Sequence, residues 1–253
     1  MTAIQSTYDN GVQILTINNE ARRNAFTHQM SRDLGEQLQA VEDNPAIKCV
    51  VITGAGNIAF SSGHDLRQMI QDRDNASDPT ANAPFLMPAT MTTPTIAAIN
   101  GYAFAAGFIL AISCDLRVCA ENASFSAPGA RIGLLPIGGQ ISRLPLLMPH
   151  AVAYEMLVTA REMKADEAHR IGFANHVVPS GHALDMSLEI ARTIVANASS
   201  VVGSIKIGLE ILARDGMTAA EDYEWKTGRR LQSEPNADEG MRAFLEKRSP
   251  SFI

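Results

Sequence analysis

Apolar, β-rich runs that stop abruptly at small residues constrain this chain more than any other feature. Cys49-Val50-Val51-Ile52-Thr53 ends at Gly54-Ala55-Gly56, and Thr95-Ile96-Ala97-Ala98-Ile99 ends at Asn100-Gly101. Leu116-Arg117-Val118-Cys119-Ala120 follows, with Ser124-Phe125-Ser126 as a short further strand. A strand that is apolar on both faces needs cover on both sides, which points to buried parallel pairing. Helical patterns lie between these runs. Over 27–42 the residues Met30, Leu34, Leu38 and Val41 recur at helical spacing, with Thr27 as N-cap and Asn44-Pro45 as the stop. Residues 105–113 read as a buried helix, and Val12 to Ile17 as an earlier strand. The alternation predicts an α/β fold.

Residues 68–93 differ in texture. They hold Asp72, Asp74, Asp78, Pro79, Pro84 and Pro88 with little periodicity, and read as a mobile loop with room for one helical turn. Beyond Leu144 the chain turns helical, over 151–159, 165–171, 183–198, 200–214, 216–233 and 236–246. Met186, Ile190, Ile194 and Ala198 form one apolar stripe. A core over 1–195 and a C-terminal helical region over 196–253, suited to oligomerisation, is the expected division.

Composition removes several classes. A net charge of −6 with scattered Lys and Arg argues against nucleic-acid binding, which needs a basic face. No apolar stretch is long enough to span a bilayer, so no membrane association is expected. Cys49, Cys114 and Cys119 lie in apolar runs and read as buried free thiols, and a cytoplasmic location follows as the expectation. Besides His64, the histidines His28, His150, His169, His176 and His182 are dispersed without metal-ligand spacing, so no metal is expected.

Two turns carry the chemistry. Phe60-Ser61-Ser62-Gly63-His64-Asp65-Leu66-Arg67 follows a strand and can expose successive backbone N–H groups, with Gly63 permitting close approach. Taken alone it better suits a plain turn capped by Asp65. Asn100-Gly101-Tyr102-Ala103-Phe104-Ala105-Ala106-Gly107 brings a helix N-terminus, with its free N–H groups, close to a ligand, although small-residue packing of a buried helix is as ordinary. Together they can supply the converging donors that a thioester enolate requires. Ser61 and Ser62 have no placed histidine and acid, so a serine nucleophile lacks support.

These pieces, in order, resemble the crotonase (enoyl-CoA hydratase/isomerase) superfamily over nearly the whole chain. The resemblance is carried by Arg22-Arg23-Asn24-Ala25-Phe26, residues 60–66, Thr93-Pro94 through Asn100-Gly101, Cys114-Asp115-Leu116-Arg117, Ile132-Gly133-Leu134-Leu135-Pro136, residues 170–179 and residues 243–252. It implies a spiral of ββα units, a helical C-terminal part that builds a homotrimer or a dimer of trimers, and an acyl-CoA substrate with no other cofactor. It also implies oxyanion donors at the backbone N–H groups of His64 and Ala106. The coenzyme A arm would meet Ala25, Ser62, Asp65, Leu66 and Arg67. Its phosphates would meet Arg23 and, from a neighbouring subunit, Lys247 or Arg248.

The departures are equally specific. The family's two glutamates fall on Ile109 and Gly129, and the aspartate of other members on Ile137. None of these residues transfers a proton, and each lost acid or base is commonly worth ~10²–10⁴ in rate. Two-glutamate hydration is therefore doubtful. A decarboxylase, other enolate chemistry or a catalytically silent acyl-CoA binder are the alternatives. Members that decarboxylate carry histidine at the position of His64, but the tyrosine some of them use is matched by Pro136. For the His64 ring, packing against the mobile loop is the favoured reading, because the backbone donor needs no side chain. Phe85, Met87 and Met91 could line an acyl pocket or simply pack the loop. Glu121 and Glu155 read as solvated or structural acids.

Overall fold

The computed structural model describes residues 3–72 and 78–252. Its strands are β1 (Ala3–Asp9), β2 (Val12–Asn18), β3 (Cys49–Gly54), β4 (Ala59–Ser61), β5 (Thr95–Ile99), β6 (Tyr102–Phe104), β7 (Leu116–Ala120), β8 (Ser124–Ser126), β9 (Met163–Lys164) and β10 (His176–Val178). The larger sheet runs β1-β2-β3-β5-β7-β10, parallel except for the β1/β2 hairpin, and the smaller runs β4-β6-β8-β9. Each apolar run supplies a strand to the large sheet. The chain then breaks and adds a short strand to the small one, so β3/β4, β5/β6 and β7/β8 repeat as successive turns of a spiral.

Helices α1 (His28–Glu42), α2 (Leu66–Gln71), α3 (Pro79–Thr90) and α4 (Ala106–Ser113) complete the core. They are followed by α5 (Leu144–Leu147), α6 (His150–Thr159), α7 (Ala165–Arg170) and α8 (Ala183–Val195). The last three are α9 (Ser199–Asp215), α10 (Met217–Gln232) and α11 (Pro235–Glu246). The period-two alternation of β3 sorts its side chains. Val50 and Ile52 face the main core with Phe26, Phe60, Phe108, Phe125 and Phe173, while Cys49 and Val51 face α8. Burying a side chain such as Ile52 is worth ~1.5–3 kcal/mol, so both layers are strongly specified. Met186, Ile190 and Ile194 of α8 pack on that outer layer. The three thiols are free and buried, and burial pushes each pKa up to about 12.

The segment expected to be a loop is where the fold corrects the sequence reading. Residues 73–77 of it lie outside the described residues, but α2 and α3 occupy most of the rest. Asp78 caps α3 by accepting from the Thr80 N–H, and Pro79 opens the helix with the φ it prefers. Pro84 and Pro88 each remove an internal hydrogen bond. Packing offsets that loss. Phe85 is fully buried and meets Phe26 edge-on at 4.8 Å, and α3 lies between α1 and α4.

One largely buried and one buried cation hold distant parts together. Lys206 on α9 donates to the Pro88 carbonyl (2.7 Å), the Thr93 carbonyl (3.1 Å) and the Asp115 carboxylate (2.8 Å). Arg117 on β7 lies beneath α4 and donates to the carbonyls of Phe173 (2.7 Å), Cys114 (2.8 Å), Ala111 (3.4 Å) and Asp115 (3.4 Å). Its guanidinium also faces the Phe173 ring at 5.0 Å. Among the described residues, no single helix is long and apolar enough to cross a membrane.

Candidate active site

The site forms where β4 and β6 leave the small sheet. Arg23 and Asn24 both take left-handed backbone conformations (φ 57° and 54°), and the buried Asn24 amide donates to the carbonyls of Ala55 (2.9 Å) and Ala59 (2.7 Å). This tight turn presents the Arg23 carbonyl to the Ser62 N–H and the Asn24 carbonyl to the Ser61 hydroxyl. Ser61 is thus a buried structural hydroxyl. The Phe26 N–H then donates to the Gly63 carbonyl and the Asp65 N–H to the Phe26 carbonyl, both at 2.8 Å. In that parallel bridge the N–H of His64, between the two, points away from Phe26. Among the described residues it has no acceptor.

The second turn meets the first at Gly63. That residue has φ +98°, and a Cβ on it would lie 2.8 Å from the Cβ of Ala105 and 3.1 Å from the nitrogen of Ala106. Gly107 makes the same close approach, since its Cβ would lie 2.5 Å from the Ser61 carbonyl oxygen. Ala106 is the first residue of α4, so its N–H is one of the unpaired donors at a helix N-terminus. The approach is made through Ala105, held at φ 49° and ψ −118° while its N–H donates to the Ser126 carbonyl. A non-glycine residue in such a region stores about 1–3 kcal/mol of strain. Helix α4 thereby aims its positive end at the space beside His64.

The surrounding residues divide sharply. Asp65 is buried and committed, capping α2 through the Arg67 N–H (2.9 Å) and pairing with Arg22 at 2.5 Å. Burial would raise its pKa, but those donors hold the carboxyl below the usual carboxylate range. The carboxylate therefore faces Arg22 and is not free to meet a ligand, whereas Leu66 and Arg67 are exposed. Arg23 is exposed and Ala25 buried beside the turn, while the Ser62 hydroxyl reaches only the Arg22 carbonyl at 3.5 Å. Arg22, overlooked in the sequence, lines a cleft of about 340 Å³ with Arg67, Gln29 and Asp33 at the head of α1. Within one chain, Lys247 and Arg248 close α11, and Arg248 is tied to Glu239 and Glu246. Among the described residues neither bonds to the site.

The three residues expected to stand at the family's acid positions are spread over α4, the turn after β8 and the loop that follows. Ile109 is buried on α4, and Ile137 is half exposed in the loop after Gly133. Gly129 is closed in by that loop, because the Leu134 N–H donates to its carbonyl at 2.9 Å and a Cβ would lie 2.6 Å from the Leu134 oxygen. Gly129→Glu is therefore expected not to restore an acid. Crotonyl-CoA hydration should stay at the wild-type level, and the thermal midpoint should fall by several degrees for a strain of about 1–3 kcal/mol. A large rise in hydration, followed by absorbance, would refute this.

Helix α3 contributes Asn82, which the sequence reading missed, and Phe85, whose packing role there was one of its two readings. Asn82, buried on it, accepts at Oδ1 from the His64 ring (Nε2, 3.2 Å), and Phe85 stands edge-on to the same ring at 5.1 Å. Burial pushes the His64 pKa down, with the Asn82 hydrogen bond opposing and His28 adding to the shift. The 3- and 4-residue spacing of Asn82, Phe85 and Ala89 was the available signal for this helix. Glu155 pairs with Arg161, and Glu121 accepts from Ser180. Among the described residues no group of three His, Cys, Asp or Glu could hold a metal.

Residues 7–253 match the family model described as enoyl-CoA hydratase/isomerase. A carnitinyl-CoA dehydratase of Citrobacter koseri is 37% identical over 238 residues, covering 90% of each chain. One of Proteus mirabilis is 36% identical over 239 residues, covering 91% of each. Among solved structures, an enoyl-CoA hydratase from Polaromonas superposes with a TM-score of 0.92 at 33% identity, covering 99% of this chain and 100% of the other. The enoyl-CoA hydratase of Bacillus anthracis gives 0.94 at 28% identity, covering 98% of each. The fold is the crotonase fold shared by those hydratases. The chain belongs to the enoyl-CoA hydratase/isomerase family and is an acyl-CoA enzyme of its lyase/isomerase type.

Proposed function

We propose that this enzyme binds an acyl-CoA thioester and holds its carbonyl oxygen between the backbone N–H groups of His64 and Ala106, stabilising an enolate. The observation that carries the reading is the approach of Gly63 to Ala105 and Ala106, with both N–H groups left without protein acceptors among the described residues. Donors fixed in advance need no reorganisation as the negative charge develops, which is why such holes are effective. Arg22, Arg23 and Arg67 are the cations on this side of the chain suited to coenzyme A phosphates, with Lys247 or Arg248 of a neighbouring copy. Exposed apolar side chains on the C-terminal helices, Ile205, Leu209, Trp225, Phe244 and Leu245 among them, support assembly as a homotrimer or a dimer of trimers. The reading needs no cofactor beyond the coenzyme A of the substrate, and a cytoplasmic location suits it.

Hydrophobic or absent side chains at Ile109, Gly129 and Ile137 favour a second reading within the same site. A substrate carboxylate that leaves as CO₂ generates the enolate without a base. Calorimetry with a panel of acyl-CoA esters should give saturable binding. Crotonyl-CoA absorbance and CO₂ release from malonyl-type thioesters then separate hydration from decarboxylation, with carnitinyl-CoA included because of the named relatives. Binding to no CoA ester in the panel would sink the proposal.

A further inference from the structure

We propose that the His64 imidazole is the proton carrier of this site, acting through Nδ1, with Asn82 as the positioning residue that fixes its tautomer. The inference rests on the reading of the pocket as a carbonyl-polarising site and names the base that the reading lacks.

Asn82 sets the direction of the hydrogen bond. Its Nδ2 donates to the Asp78 carbonyl at 2.9 Å, so the amide is oriented with Oδ1 toward His64. An amide oxygen can only accept, and Nε2 of His64 must therefore carry the proton. Nδ1 is left with its lone pair, and among the described residues nothing hydrogen-bonds to it. Phe85 braces the ring edge-on, and the lowered pKa keeps the imidazole neutral near pH 7. Covalent geometry does the rest. In any staggered rotamer Nδ1 lies within about 5 Å of the residue's own backbone nitrogen. A carbonyl oxygen bound to that N–H at about 2.9 Å is then no more than about 8 Å from Nδ1, and the proposed pose puts the substrate α-carbon on the lone-pair side of the ring. The other nearby carboxylate, Asp65, is committed to Arg22 and the Arg67 N–H.

The step balances within the site. Nδ1 takes the α-proton, the C–H pair moves into the thioester, and the enolate oxygen is held by the two backbone donors. The imidazolium keeps its Nε2–H on Asn82 and returns a proton to the α-carbon. No external acid, base or oxidant is required.

The test uses butyryl-CoA in D₂O, a saturated thioester that cannot be hydrated, with α-deuteration read by mass spectrometry. The wild-type enzyme should exchange. His64→Ala and His64→Gln should lose roughly 10²-fold in exchange rate while still binding the ester by calorimetry, since both keep the backbone N–H. Added imidazole should restore exchange to His64→Ala, which a structural role would not allow. Asn82→Leu should slow exchange several-fold at unchanged affinity, and unchanged exchange there would remove Asn82 from the assignment. Wild-type exchange in His64→Ala, loss that imidazole does not rescue, or a wild type that binds without exchanging would overturn the inference. That last outcome leaves carbonyl polarisation standing, whereas failure to bind overturns the reading beneath it.

Discussion

Gly63→Ala is expected to lower turnover on any acyl-CoA substrate by roughly 10²–10³, the cost of losing one oxyanion donor. The reasoning is geometric. The new methyl would lie 3.1 Å from the Ala106 nitrogen and 2.8 Å from the Ala105 Cβ, so it would stand against one donor and push the second turn away. At φ +98° the alanine would also be strained, by about 1–2 kcal/mol. Against a net stability of about 5–15 kcal/mol this leaves the native state favoured, and circular dichroism should show a folded protein. Because the lost interaction strengthens in the transition state, kcat should fall far more than affinity for the substrate. Equal losses in kcat and affinity, or full activity, would contradict the placement of the donors.

Arg117→Met is expected to destabilise the fold by about 3–5 kcal/mol and lower the thermal midpoint by on the order of 10 °C. The guanidinium is buried and, among the described residues, forms no ion pair with a carboxylate. It satisfies four backbone carbonyls, two of them, those of Ala111 and Cys114, at the end of α4. Methionine fills much of the volume but leaves those oxygens unpaired, at about 1–3 kcal/mol for each one that water cannot reach. The cation also faces the negative end of the helix whose opposite end is aimed at the space beside His64. A thermal melt within 2–3 °C of wild type would show that the carbonyls find other partners.

How much of this was legible depended on how locally each feature is specified. Strands β3, β5 and β7 announce themselves because burial on both faces demands near-continuous apolar residues, β2 by its rough alternation, and β8 by the single Phe125 between two serines. The C-terminal helices were found within a few residues of their ends. The short strands β4 and β6 were not, since three residues give no period to detect, and β1 is a largely exposed edge whose polar side chains hide its pairing. Helix α3 was read as a loop because two prolines contradict helix propensity, and only tertiary packing around Phe85 overrides them. The two turns that meet at Gly63 were visible through their glycines and alanines. The His64–Asn82 contact was not, because its partners are 18 residues apart and one lies on the unread helix.

The Lys206 ammonium joins two parts of the chain that sequence distance keeps well apart. One helix of the C-terminal set holds the tail of α3 through the Pro88 carbonyl, and α3 in turn holds the His64 ring through Asn82. Whatever seats α9, a neighbouring copy included, therefore also sets where that ring rests. A displacement of the C-terminal helices is thus passed to the His64 imidazole through one nearly dehydrated ammonium and the hydrogen bond that Asn82 accepts.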